Sequence, residues 1–318
     1  MAVIAIDLGG TKLSVAIIEP SGNVVQKDIL LLEGREGKAV GALIKSSAEK
    51  ARDEALRRQI SLGAVGICVP GISHAETVWA PNIPGWDEYP LLGEMQSVFQ
   101  AGKIPVKIDS DRACAILGEM WRGAARGCRD AIFLAVGTGI GAGILVDGKV
   151  LRGAHDIAGA IGWLALDRPF DEKYIRCGCF EYHASGEGLA KVAREYAGAE
   201  GLQEPHAGGS GRRVTSRDVF ESYDANDPVA RRVVSEAIEF WGMATANLVS
   251  LFNPEKIIFG GGVFGPGLRF LDAIMAEARK WAQPISIGKV SFEGSQLGSD
   301  AVLFGAAYLA LQSSPSRS

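Results

Sequence analysis

Apolar residues fill Val3 to Ile18 in two runs, separated by the polar turn Asp7-Leu8-Gly9-Gly10-Thr11-Lys12. After a second turn, Glu19-Pro20-Ser21-Gly22-Asn23, an extended pattern resumes over Val24 to Leu31. This spacing predicts three strands joined as a meander. A charged amphipathic stretch over residues 37–59 predicts a helix. The wholly apolar run Ala64 to Val69 predicts a buried strand, broken by Pro70-Gly71-Ile72-Ser73. The pattern then restarts. Val106 to Asp109 reads as a strand, residues 113–124 as a helix opening near Asp111, and Ala131 to Val136 as another strand. Gly137 to Gly143 reads as a glycine-rich turn, followed by a strand at Ile144-Leu145-Val146 and a turn at Asp147-Gly148. Further on, Pro228 to Leu251 predicts a long helix, Lys256 to Phe259 a strand running into Gly260-Gly261-Gly262, and Ala301 to Leu311 a closing helix. Residues 200–213, rich in glycine and holding His206, read as a surface loop, and the polar tail after residue 311 as frayed. Strand, glycine turn, strand thus occurs twice, which predicts a doubled α/β architecture with its ligand between the halves.

Composition narrows the function. Of 318 residues, 47% are hydrophobic and 22% charged, enough apolar material for a sizeable core. The net charge of −4 offers no basic surface for nucleic acid. No apolar run is long enough to cross a bilayer. The N-terminus lacks the basic start and cleavage site of a secretory signal, and Asp7 interrupts it early. Five cysteines, an odd number, do not form a disulfide framework. The expected location is the cytoplasm, with Cys68, Cys114 and Cys128 as free, partly buried thiols.

Glycine is the outlier, at 41 residues, several of them clustered directly after apolar runs. Phosphates need backbone N–H donors, and glycine lets a chain turn tightly enough to aim several at one anion. In the first cluster Asp7 can hold Mg²⁺, directly or through water, Gly9 and Gly10 make the turn, Thr11 offers a hydroxyl, and Lys12 follows. Gly137-Thr138-Gly139 repeats the arrangement without the acid, and Gly260-Gly261-Gly262 is suited to flank a flat adenine ring. One such cluster is also an ordinary hairpin turn; three in this order, each after an apolar strand, are far more specific. No GxxxxGK[ST] or strand-to-helix GxGxxG is present, which disfavours a P-loop or dinucleotide fold.

The sequence resembles the ROK family, named for its repressors, open reading frames and kinases. The resemblance rests on Ile4 to Lys12, on Ala80-Pro81-Asn82-Ile83-Pro84-Gly85-Trp86, on Asp111 within Asp109 to Glu119, on Gly137 to Gly141, on Gly178-Cys179-Phe180-Glu181 and on Phe259 to Gly262. It implies an α/β fold of two actin-like (ribonuclease H-like) lobes with a nucleotide and sugar cleft between them. The expected lobes are residues 1–112, with a helix at 301–313 packed back on them, and residues 113–300. It also implies an ATP- and Mg²⁺-dependent kinase acting on a hexose or hexose derivative, at the 6-hydroxyl. Asp111 would be the catalytic base. Gly71, Asn82, Gly85, Ser110, Trp163 and Glu181 would join it around the sugar, and the three glycine clusters would hold the nucleotide. A homodimer is a further expectation of the resemblance. The chemistry agrees, because a sugar hydroxyl is a poor nucleophile and a carboxylate within reach can take its proton. The competing role for Asp111 is a simple helix N-cap. Alternation along the strand turns the neighbouring Asp109 elsewhere.

The sequence departs from the family pattern in three places. Gly159-Ala160-Ile161-Gly162-Trp163 stands where these kinases carry Gly-Glu-x-Gly-His, so a carboxylate and an imidazole are missing from the sugar site. Only Cys177-Gly178-Cys179 remains of the zinc-binding run, short of the four ligands a tetrahedral zinc needs, so no structural zinc is expected. His183 and His155 read as surface or hydrogen-bonded residues. Ser110 replaces an Asn, and Ala113 another. A hydroxyl left unpaired where those groups are lost costs about 1–3 kcal/mol. The expectation is therefore retained phosphoryl transfer to an acceptor altered at its C1–C2 end relative to glucose. Trp163 either stacks on the sugar or an apolar substituent, or packs in the core. The alternatives are a catalytically degenerate sugar- or nucleotide-binding sensor, a different phosphoryl donor such as polyphosphate, and a polyol acceptor. A repressor of the same family is disfavoured, since the first glycine turn begins at residue 7 and leaves no room for a winged helix ahead of it.

Overall fold

The computed structural model describes residues 1–74, 76–200 and 213–313. Most of the loop expected over 200–213, and the tail from residue 314, lie outside them. Along the chain the strands are β1 (Ala2–Leu8), β2 (Lys12–Ile18), β3 (Val24–Leu31), β4 (Leu62–Val69), β5 (Ile72–His74), β6 (Thr77–Trp79), β7 (Val106–Ser110), β8 (Ala131–Val136), β9 (Ile140–Val146), β10 (Lys149–Val150), β11 (Lys256–Gly260) and β12 (Ser291–Gly294). The helices are α1 (Gly37–Arg57), α2 (Leu91–Phe99), α3 (Asp111–Arg122), α4 (Cys179–Ala184), α5 (Gly186–Glu200), α6 (Ser216–Asp224), α7 (Pro228–Phe252), α8 (Leu271–Trp281), α9 (Pro284–Ile287) and α10 (Ala301–Leu311).

These elements form two compact units. The first comprises residues 1–127, 150–158 and the chain from residue 299; the second comprises residues 128–149 and 159–298. The principal sheet of the first unit runs β3-β2-β1-β4-β7, and that of the second runs β10-β9-β8-β11-β12. In each, an antiparallel hairpin is extended by two parallel strands. The doubled design read from the glycine turns is thus a repeated sheet order.

In the first unit the alternation of β1 sorts the chain onto two cores. Ile4, Ile6 and Leu8 join Val40, Ile44, Met95 and Phe99 of α1 and α2. Val3 and Ala5 join Cys68, Cys114 and the Leu303, Ala306, Ala307 and Ala310 side chains of α10. On that second face α10 lies against β4 and α3 with almost no side-chain spacer. A Cβ added at Gly66 would meet the carbonyl oxygen of Ala306 at 1.9 Å. Added at Gly118 it would meet that of Ala301 at 2.0 Å, and at Gly305 that of Cys114 at 1.7 Å.

Two expectations require correction. The lobe boundary expected at residue 112 lies instead after Gly127, because α3 packs along α10 rather than opening the second unit. The glycine-rich segment 137–143 is a turn only as far as Gly139. From Ile140 it is a strand in register with β8, with Gly143 opposite the large Phe133 ring. Cross-strand pairing overrides the low strand propensity of Gly141 and Gly143.

The α3–α10 contact makes a stability prediction. Gly305→Ala places a methyl against backbone that cannot rotate away, and is expected to destabilise the protein by about 1–3 kcal/mol in a urea titration. An unchanged midpoint would refute the close approach described here.

Candidate active site

In the first unit the parallel strands β1, β4 and β7 end side by side, and their C-terminal ends carry the chemistry. Asp7, Cys68 and Asp109 form one row across the three strands. Burial pushes the Asp7 carboxyl up to about 6 from its ordinary 3.8; Lys12 pulls it down and Asp111 pushes it further up, both as smaller effects. The turn beyond is closed by Gly9 N–H donating to Lys12 O at 2.9 Å, and Gly10, Thr11 and Lys12 are exposed. Asp111 is the first residue of α3. Its Oδ1 accepts from Arg112 N–H at 2.8 Å, and burial raises its carboxyl above the ordinary range.

The cap of that helix is Ser110, whose Oγ accepts from Ala113 N–H at 3.2 Å. The N-cap role considered for Asp111 is therefore filled by its neighbour. Asp109 is engaged with partners of its own. It is buried, takes the Ser110 N–H on Oδ1 at 2.8 Å and pairs with the Arg152 guanidinium through Oδ2.

Asn82 sits on an exposed turn that its neighbours fix. Ala80 N–H donates to Trp86 O at 2.8 Å, the buried Trp86 Nε1–H donates to Gly37 O at 3.0 Å, and the Trp86 and Tyr89 rings stack at 4.4 Å. Gly85 adopts a φ of 82°, as this turn requires. Gly71 lies between β4 and β5, and a Cβ there would lie 2.0 Å from Trp79 O, so it admits the strand leading into the Asn82 turn.

In the second unit the two remaining glycine clusters meet. Gly261, at φ 88°, leaves no room for a Cβ beside Val136, which would be 2.4 Å away at its carbonyl oxygen, and Val263 N–H donates to that same oxygen at 3.0 Å. Gly260-Gly261-Gly262 is thereby set against the end of β8, where Gly137-Thr138-Gly139 begins. Gly186 N–H donates to Gly137 O at 2.7 Å and ties this turn to α5. Glu181, on α4, accepts the Ile140 N–H at 2.6 Å on Oε2, and its carboxyl is raised by burial. Gly162 and Gly178 let the segment with Ala160 and Trp163 close onto α4: a Cβ at Gly162 would lie 2.9 Å from Glu181 Cβ, and one at Gly178 would lie 2.5 Å from Trp163 Cα.

Comparison with known proteins places the chain in a family. The ROK family model matches residues 3–313. A glucokinase of Halalkalibacterium halodurans is 33% identical, over 97% of this chain and 94% of that protein. A β-glucoside kinase of Listeria monocytogenes is 27% identical, over 98% of each. The crystal structure of a ROK family glucokinase from Streptomyces griseus in complex with glucose and AMPPNP has a TM-score of 0.78 at 30% identity, covering 98% of this chain and all of that one.

The chain belongs to the ROK family. Its paired sheets are the actin-like α/β fold expected from the sequence. Against the ROK pattern, the structure brings Asp7, Ser110 and Asp111 together at one sheet end, and Gly137 to Gly139, Gly260 to Gly262, Trp163 and Glu181 together in the second unit. Trp163 is 58% exposed, so the core-packing reading is set aside. Among the described residues no group of three or more His, Cys, Asp or Glu is placed to hold a metal. His183 is hydrogen-bonded, its Nε2 at 2.9 Å from the Tyr174 hydroxyl and its ring stacked 4.4 Å from Phe240. Also among the described residues, no helix is long and apolar enough to cross a membrane.

Sequence reasoning missed Arg152 as the partner of Asp109, because ion pairing across such a separation leaves no local signal. It could have found Cys68 beside Asp7, since two strands that end in matching glycine turns invite that register.

Burial holds the His183 imidazole below its ordinary 6.5. The native state then binds fewer protons than the unfolded chain below pH 6.5, so this contribution to stability is present above that pH and is lost as the pH falls. In His183→Phe, which keeps the stacking and removes the titration, melting temperature is expected to fall less steeply between pH 6.5 and 5. Parallel profiles for the two proteins would contradict it.

Proposed function

We propose that this chain is an ATP-dependent sugar kinase that transfers the γ-phosphoryl group to the 6-hydroxyl of a hexose derivative, with Asp111 as general base. The observation that carries the reading is the division of labour at the start of α3. Ser110 caps the helix, leaving Asp111 as a half-buried, pKa-raised carboxylate at the C-terminal end of a parallel strand. The ROK glucokinases it resembles over nearly its whole length support the activity.

In the reaction, the Asp111 carboxylate accepts the proton of the sugar hydroxyl as that oxygen forms its bond to the γ-phosphorus. The bond from the γ-phosphorus to its bridging oxygen breaks, and ADP leaves. Asn82 and Glu181 hydrogen-bond ring hydroxyls. The glycine turns at Gly137 to Gly139 and Gly260 to Gly262 hold the nucleotide. A buried carboxylate with its pKa pushed to about 6, beside a turn bearing a hydroxyl, suits a hard divalent cation that keeps most of its oxygen ligands from water and phosphate. Asp7 and Thr11 would hold Mg²⁺, which when bound neutralises phosphate charge.

The acceptor is altered at its C1–C2 end. Ala160 removes a carboxylate from the sugar site, and the exposed indole of Trp163 beside Glu181 offers a stacking face. The β-glucoside kinase relative supports a substituted sugar.

A coupled ADP-release assay against hexoses, N-acetylhexosamines, deoxysugars and glycosides tests both claims. Turnover is expected on a derivative in preference to glucose, and Asp111→Asn is expected to lose at least about 100-fold. Glucose as the best substrate would defeat the altered-acceptor reading. Nucleotide binding without turnover on any compound would favour a sensor. Because the base must be ionised and burial raises its pKa, kcat/KM is expected to fall as the pH drops through a value above the ordinary 3.8 of an aspartate. An acid limb at or below that value would contradict the assignment.

A further inference from the structure

Asp111 stands on a single turn of backbone, and what holds that turn comes from a distant part of the chain. Residues 150–158 belong to the first unit, although their chain neighbours on both sides belong to the second. The segment is fastened there at several points. His74 Nδ1 lies 2.8 Å from Asp156 Oδ2 and Arg112 Nη1 donates to Ile157 O at 3.5 Å, while within the segment Ala158 N–H donates to Arg152 O at 3.0 Å. At its centre the Arg152 guanidinium pairs with Asp109 Oδ2. The carboxylate of Asp109 is 11% exposed, while the side chain of Arg152 is 42% exposed. The pair is thus an acid held inside by a cation reaching in from the surface.

The other oxygen of Asp109 takes the Ser110 N–H, and the Ser110 hydroxyl in turn takes the Ala113 N–H. Arg152, Asp109, Ser110 and the first turn of α3 therefore form one continuous hydrogen-bonded chain that ends beside Asp111. The row Asp7, Cys68, Asp109 contains a second carboxylate, so Asp109 stripped of Arg152 would be a buried acid close to another. Turning outward to water is the escape open to it, and that movement releases the Ser110 amide.

We propose that Arg152 is a positioning residue for phosphoryl transfer, acting through Asp109 to fix the β7–α3 turn that aims Asp111. The inference rests on Asp111 being the base. It makes the 150–158 segment part of the catalytic apparatus of the first unit, although none of its residues is assigned a contact with substrate.

The test is steady-state kinetics on the preferred sugar. Arg152→Met is expected to lower kcat by about tenfold or more, as a displaced base would, with KM for ATP close to wild type. Arg152→Lys, which keeps the charge, is expected to restore most of the loss. The effects of Arg152→Met and Asp109→Asn are expected to be strongly non-additive in the double variant, because one acts through the other. Unchanged kcat in Arg152→Met, or additive losses in the double variant, would overturn the proposal. If Arg152→Met does not fold, Arg152→Lys and Asp109→Asn decide it: a kcat loss in Asp109→Asn with Arg152→Lys active supports it, and full activity of Asp109→Asn overturns it. Asp111→Asn run alongside separates the failures. An active Asp111→Asn removes the base assignment itself, whereas an inactive one with a fully active Arg152→Met removes only the role of Arg152.

Discussion

The first unit depends on how closely α10 approaches its sheet and α3. Gly66, Gly118 and Gly305 each face a carbonyl oxygen at a distance no Cβ could tolerate, and Ala306, Ala307 and Ala310 fill the remaining surface. Small residues bring backbones into contact, which fixes helix position more tightly than interdigitated large side chains, whose rotamers can adjust. The consequence reaches the chemistry. With α3 pinned along α10 at Gly118, its N-terminus has one place to start, and β4, pinned at Gly66, ends beside it. Asp111 opens α3, while Gly71 follows β4. A helix from the last part of the chain thus holds the chemistry of the first part, which is why the unit is discontinuous in sequence.

The second unit applies the same constraint to turns instead of helices. Gly261 lies on the end of β8, a Cβ at Gly159 would lie 1.9 Å from Ala142 O, and Gly178 lies against Gly162 and Trp163. Each contact draws one irregular segment onto the strands β8 and β9. Glu181 then finds a backbone amide, Ile140 N–H, instead of solvent. A half-buried carboxylate reaching from α4 to the first amide of the strand that follows the Gly137 to Gly139 turn both satisfies that amide and stiffens the turn, so that any donor the turn offers to an anion is already oriented.

Much of this was legible in the sequence, and the reason differs by element. The strands β1, β2, β4, β8 and β11 are read from apolar runs, since a strand buried on both faces has little choice of residue. The long helices α1 and α7 are read from their period and length. The glycine turns and Asp111 are legible as candidates because few residue types allow a tight backbone turn or offer a carboxylate at a strand end. What was not legible is set by tertiary packing. The strand character of Gly141 to Gly143 comes from pairing with β8. The boundary after Gly127 comes from α10. The short helices α4, α6 and α9 carry too few residues for a period to register. Trp163 illustrates the limit for a site residue: an indole in sequence suits a core or a binding face equally, and only its exposure separates them.

The electrostatics of the first unit explain why cations surround its acids without cancelling them. Asp7, Asp109 and Asp111 lie at neighbouring strand ends, and burial favours the neutral forms of Asp7 and Asp111. A full set of buried ion pairs would hold all three ionised and leave none to accept a proton or attract a further cation. The chain divides the roles instead. Asp109 receives a guanidinium and two backbone-linked hydrogen bonds' worth of order through Ser110, and becomes structural. Asp7 receives only the more distant pull of Lys12, and its carboxyl remains pushed up to about 6. Asp111 keeps one backbone hydrogen bond and is likewise left raised. Acids in one neighbourhood are thereby separated by their partners, the most fully paired serving the fold and the less compensated two remaining responsive to an incoming ligand.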